Sequence, residues 1–431
     1  MRTTLLALIL TLSAFVATNS FAQYNDIKSE NIASLQVVAG KDWLSMPIAT
    51  LNGEPINISF DDLTHEYHRY VYRLQHCEAD WSVSEGIFDS DYCEGFADGC
   101  TIDDIEESLN TNTLYTHYRL SIPNENCRIK MSGNYRLTVY DENNGDTIFT
   151  ACFMIVEPLV KASMSVTTNT DISINKAHQQ VGAEINYSAL NITNPSTELY
   201  TVVMQNGRWS TARINPTPQY QTGSGLRWEY NRNLIFDGGN EYHKFEILDV
   251  THPTLGIENT WWDGTNYHAQ IWTDLPRPSY VYDEDVCFLY LSADFILLFF
   301  SELKIIDSFY IRNSDNIEND RISEYVVVNF RLQAPRQNGR VFINGVWTND
   351  RFTPQYEMSY NEQTKLYEAN VPLKQGYYSY QYLTKHNDNS LHPVSTEGNF
   401  FQTENSYQML IYYKGIGQRT YRLVGYSKIR S

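Results

Sequence analysis

The feature that most limits what this chain can fold into is an alternation of apolar and polar residues at period two, repeated along most of its length. Ile56, Ile58 and Phe60 alternate with Asn57 and Ser59, and Tyr135, Leu137 and Val139 alternate with Arg136 and Thr138. Val326, Val328, Phe330 and Leu332 form a third run, and Tyr367, Ala369, Val371 and Leu373 a fourth. Tyr378, Tyr380 and Tyr382 make a ladder of rings at the same spacing. Successive side chains of a strand point to opposite faces, so this period buries one face of a sheet. Asn52-Gly53, Asn143-Asn144-Gly145, Asp237-Gly238-Gly239 and Asn344-Gly345 supply turn chemistry between the runs. Helical periodicity is scarce. Its best stretch is Ile102 to Asn110, where Thr101 and Asp104 have capping-box spacing. The expected fold class is all-β, with three consecutive immunoglobulin-like or early-set β-sandwiches.

Composition agrees. A chain of 431 residues makes two to four domains at roughly 100–200 residues each. It carries 32 Tyr, as many as Lys and Arg together, and large rings fit a pleated, half-buried surface. Asp and Glu number 51 against 32 Lys and Arg, a net charge of -19. Nucleic-acid binding needs a clustered basic face, which this balance argues against. The expected boundaries are 23–158 for an N-terminal sandwich, 159–285 for a middle one and 321–431 for a C-terminal early-set-like one. The segment 286–320 is an apolar insertion and linker between the last two.

Residues 1–22 have the form of a cleaved signal peptide: Arg2, an apolar stretch from Leu5 to Val16, and the small-x-small site Ser20-Phe21-Ala22. Losing Arg2 takes the charge of the mature chain from -19 to -20. All six Cys (77, 93, 100, 127, 152, 287) lie in the exported part. An even count in an exported chain permits disulfides. Cys93 and Cys100 share a Gly/Asp-rich loop and are the easiest local pair. Buried free thiols are the other reading. One apolar run, Val286 to Phe300, breaks the alternation. It falls short of the ~20 residues a helical span needs. Asp294 near its centre would cost ~2.5–3.5 kcal/mol on insertion. The expectation is a largely buried segment.

Motifs of catalysis are weak. Asp61-Asp62, Asp103-Asp104, Glu106-Glu107 and Asp283-Glu284-Asp285 are neighbours, and neighbours on a strand diverge instead of facing one cleft. His76-Cys77 diverges for the same reason. No P-loop, G-x-S-x-G, H-E-x-x-H or dinucleotide fingerprint occurs. The expectation is a non-enzyme with no cofactor and no metal. The last third offers a binding reading. Its strand order resembles the early-set sandwiches that accompany glycogen-handling enzymes, which makes Trp347 and Tyr380 candidate glycan-stacking rings. Rings packed in the sandwich core are the alternative.

Longer strings are more specific. His76-Cys-Glu-Ala-Asp-Trp81 is followed by Asn112-Thr-Leu-Tyr-Thr-His-Tyr-Arg-Leu-Ser-Ile-Pro-Asn124, Ser132-Gly-Asn-Tyr135 and Val139-Tyr-Asp-Glu142. Phe236-Asp-Gly-Gly-Asn-Glu-Tyr-His-Lys-Phe-Glu246, Phe309-Tyr-Ile-Arg-Asn313 and Gly398-Asn-Phe-Phe-Gln-Thr-Glu-Asn405 follow, then Tyr407 and Tyr412-Tyr413. In this order they closely resemble the type IX secretion system plug family, over essentially the whole mature chain. The resemblance implies a periplasmic, non-catalytic protein of the Bacteroidota type. Its implied partner is the outer-membrane β-barrel translocon, whose periplasmic opening the family seals when no substrate is in transit. The sequence departs from the family at Cys287 to Ile306, an extra apolar stretch, and slightly at Arg419 to Gly425. The resemblance supplies no mapped contact residues, so the partner-binding residues are unknown at this stage. The alternative function is an exported glycan-binding β-sandwich protein.

Overall fold

The computed structural model describes residues 25–280 and 307–431. The expected signal peptide and the apolar run Val286 to Phe300 lie outside the described residues. The described residues are all-β, with only single-turn helices between strands. Among the described residues no helix is long and apolar enough to cross a membrane.

The first sandwich follows its sequence. One sheet orders Asp26–Ile27, Thr147–Val156, Gly133–Asp141, Tyr70–Cys77 and Asp98–Thr101, with Ile48–Thr50 added in parallel to Thr147–Val156. The facing sheet orders Ile32–Ala39, Ile56–Asp62, Thr116–Ile122 and Asp104–Glu107. Alternate residues of the two sheets meet inside: Ile56, Ile58 and Phe60 pack with Tyr72, Leu74, Tyr135, Leu137 and Val139. The expected helix at 102–110 is instead the edge strand Asp104–Glu107, paired to Thr116–Ile122. Arg119 on that neighbour reaches Asp104 at 3.0 Å and Glu106 at 3.1 Å, so cross-strand charge pairing overrides a weak local helix signal.

The other two units are not consecutive, contrary to expectation. The middle sandwich faces a sheet of Lys161–Thr167, His178–Asn186 and Gly225–Trp228 with a sheet ordered Arg213–Ile214, Leu199–Gln205, Ser406–Tyr413 and Arg422–Arg430. Its last two strands therefore come from the C-terminal end of the chain, and Val203, Tyr407, Met409 and Ile411 share one core. The third unit is a curled ten-stranded sheet built from segments between 243 and 393. His243–Ile247 pairs with Gly376–Lys385, and Tyr267–Ile271 pairs in parallel with Tyr325–Leu332. The strand Ile257–Trp262 is its outermost member. The chain thus enters the middle sandwich, makes the whole third unit, and returns to finish the middle one.

Candidate partner interface

The three units are held by buried joints, and the motifs that carried the family resemblance build them. His76-Cys77 lies at the end of a strand, and the two side chains diverge. His76 turns into the first sandwich, with Nδ1 2.9 Å from Ser84 Oγ and Nε2 3.3 Å from the Ser132 carbonyl. Burial lowers its pKa to about 4, so the ring is neutral. Gly133 passes so close that a Cβ there would meet His76 Nε2 at 2.2 Å, and its φ of +148 further favours glycine. Cys77 turns the other way, where burial raises its thiol to about 11. There it joins Ala79, Trp81, Met154, Met204, Leu410 and Tyr412 in an apolar joint between the first and middle sandwiches. Trp81 packs edge-on to Trp209 at 5.8 Å across that joint. His76 and Cys77 are therefore structural.

Asp61 and Asp62 diverge in the same way. Asp61 closes a charged joint between the first and third units. Its carboxylate accepts from Lys374 Nζ at 2.7 Å and Tyr325 OH at 2.6 Å, and lies 2.6 Å from His117 Nδ1. Lys374 also donates to the Asp320 carbonyl at 2.7 Å and stands 4.0 Å over the Tyr115 ring. Burial opposes the charge on Asp61, but Lys374 and His117 outweigh it and hold its pKa below the usual carboxylate value. Asp62 instead accepts from Tyr70 OH at 2.8 Å and from the Thr64 amide and hydroxyl. The pair does not converge on one cleft.

The glycan-stacking candidates are corrected by their burial. Trp347 is 6% exposed, its Nε1 donates to the Ser379 carbonyl at 2.9 Å, and Phe330, Tyr356 and Tyr378 surround its ring. Tyr380 is 2% exposed, and its hydroxyl donates to Asp274 Oδ2 at 2.8 Å. Both rings fill the core of the third unit, so neither offers a face to a sugar. The Cys93–Cys100 pairing is also corrected. Cys93 Sγ lies 2.9 Å from Cys127 Sγ, while Cys100 donates to the Phe96 carbonyl. The register of Cys93–Gly95 on Cys127–Ile129, which sets Cys127 opposite Gly95, brings the first two sulfurs together across 34 residues.

What the sequence reading missed is at the surface. Trp261, Trp262 and Trp272 are 39%, 45% and 61% exposed; the first two lie on the outer strand of a hairpin that ends the third unit's sheet among the described residues, and Trp272 directly follows its second strand. The other described tryptophans are buried or half-buried. Trp261 stacks on His268 at 4.9 Å, and Trp262 leans on Tyr267 at 4.8 Å, so each ring is held by its cross-strand neighbour. Leu255 and Leu275 are exposed in the same region of the chain, and the hairpin tip carries a bond from Asn112 Nδ2 to the Thr265 carbonyl. A signal for this was present: adjacent tryptophans in a strand put one ring on each face, so a sandwich strand cannot bury both in its core. Tryptophan is the residue type most enriched where interface energy concentrates.

Interlocked sandwiches, buried joints and an exposed aromatic edge define an all-β scaffold. Residues 32–157 match the family model described as type 9 secretion system plug protein, 1st domain. A crystal structure of a hypothetical protein from Parabacteroides merdae is 38% identical, with a TM-score of 0.86, over 95% of this chain and 99% of that one. The C-terminal domain of the Streptococcus pyogenes antigen I/II-family protein AspA aligns over 92% of this chain and 98% of its own, at 8% identity and a TM-score of 0.16. That likeness carries no argument. A comparison with curated proteins gives no match. The first sandwich is thus the first domain of the type 9 secretion system plug family.

Proposed function

We propose that the protein is a periplasmic plug: it binds the outer-membrane barrel through which type IX cargo leaves and seals its periplasmic opening between cargoes. The observation that carries this reading is the family match over the first sandwich. The architecture supports it. A pore wide enough for folded cargo leaks small molecules unless something rigid fills its mouth. Three units tied by the Asp61–Lys374 joint, the Trp81 joint and the returning C-terminal strands resist hinge motion, because the first two joints are buried and the third is threaded by the chain itself. Sealing needs no bond making, so the protein works without catalysis or a cofactor.

Affinity purification of the tagged chain from solubilised outer membranes tests the reading. The barrel is the expected companion. Recovery of the chain alone, under conditions that keep the barrel intact, contradicts it.

A further inference from the structure

We infer that the strand Ile257–Trp262 is an acceptor edge: it docks the partner by adding an extended strand of that partner to the third unit's sheet. This rests on the plug reading and names the surface through which it acts.

The parity of the hairpin carries the inference. The Asp263 amide donates to the Asn266 carbonyl, so Asp263 and Asn266 close the turn by main-chain bonding. Antiparallel pairs alternate between hydrogen-bonded and non-bonded. With Trp262 opposite Tyr267, Trp261 opposite His268 and Thr260 opposite Ala269, the bonded pair is Trp261–His268. Thr260 and Trp262 therefore turn their N–H and C=O groups outward. Among the described residues no strand lies beyond them, and no main-chain bond to them from outside the sheet occurs.

Open edges are normally blunted by charge, proline or brevity. The first sandwich does this with Asp104–Glu107, a four-residue edge carrying three carboxylates. Ile257–Trp262 carries no proline and no lysine, and its one irregularity lies between Ile257 and Asn259, leaving the stretch to Trp262 regular. Its one charge is Glu258, and beyond it the edge presents two tryptophans. Strand addition takes affinity from main-chain bonds and specificity from alternate side chains. Here Trp261 and Trp262 would grip the incoming strand from both faces. Exposed Glu258 and Asp263 bracket the edge, which fits an occupant with basic residues at its ends.

The test exploits the parity. Thr260→Pro removes an outward N–H and leaves the ladder to Tyr267–Ile271 whole, whereas Thr260→Ala keeps both. Full-length chains are purified from outer membranes, with melting temperature measured for each. Loss of one main-chain bond and steric blocking of the edge predict a fall in barrel recovery of about tenfold or more for Thr260→Pro. Melting is expected to stay unchanged, and Thr260→Ala to recover the barrel normally. A photo-crosslinking residue at Glu258 reports contact independently of whether Thr260→Pro folds. It is expected to join the chain to the barrel. Normal recovery by folded Thr260→Pro, or crosslinks only to lipid or glycan, overturns the inference. Failure of the unaltered chain to recover the barrel rejects the plug reading itself.

Discussion

At the scale of single residues, the chain holds its units together with charges that water never reaches. Asp61 and Lys374 are both almost fully buried, and each is the other's counter-ion. Asp61→Asn leaves the Lys374 ammonium uncompensated, and breaking a buried pair in this way costs about 3–5 kcal/mol. Urea unfolding is expected to show that loss, and Asp61→Asn with Lys374→Met to recover part of it. His243 is a second charged group, largely buried in the third unit. Burial works against its charge, but Asp274 at 2.8 Å and Glu397 at 3.0 Å prevail and raise its pKa to about 9. Because the folded value lies above the ordinary 6.5, its contribution is complete below about pH 6.5 and disappears as pH rises through 9. The shift corresponds to on the order of 3 kcal/mol. Stability measured at pH 6 and pH 9.5 is expected to differ less in His243→Gln than in the unaltered chain. The thiols give a third outcome. After mild oxidation, peptide mapping is expected to join Cys93 to Cys127 and not to Cys100.

At the scale of elements, the alternation of Tyr135, Leu137 and Val139 and that of Val326, Val328 and Phe330 were legible because the period of a strand is local. The pairing of Leu199–Gln205 with Ser406–Tyr413 was not, since no local pattern encodes a partner some two hundred residues away. The same limit hid Lys374 from Asp61, which lie 313 positions apart. Cys93 and Cys100 looked like a pair because sequence proximity was the only guide, whereas strand register chose Cys127. Trp347 left a surface reading open beside the favoured core one, and the strand carrying Ser379 covers it. The threaded topology has a direct consequence. Removing residues 406–431 takes two of four strands from one sheet of the middle sandwich and exposes its core. Circular dichroism and thermal melting are expected to show loss of cooperative folding, where a truly consecutive third domain would be dispensable to the second.

At the scale of the molecule, an acidic, aromatic, interlocked β scaffold with an exposed tryptophan edge fits the proposed role of filling an opening. On the proposed reading, the protein closes the pore of its partner barrel. Conductance of the purified barrel in a planar bilayer, recorded before and after the protein is added to the periplasmic side, tests it most directly. The expected result is a large open-state conductance that falls to near zero on addition and returns when the protein is washed out. An unchanged conductance while the protein remains bound to the barrel would contradict it.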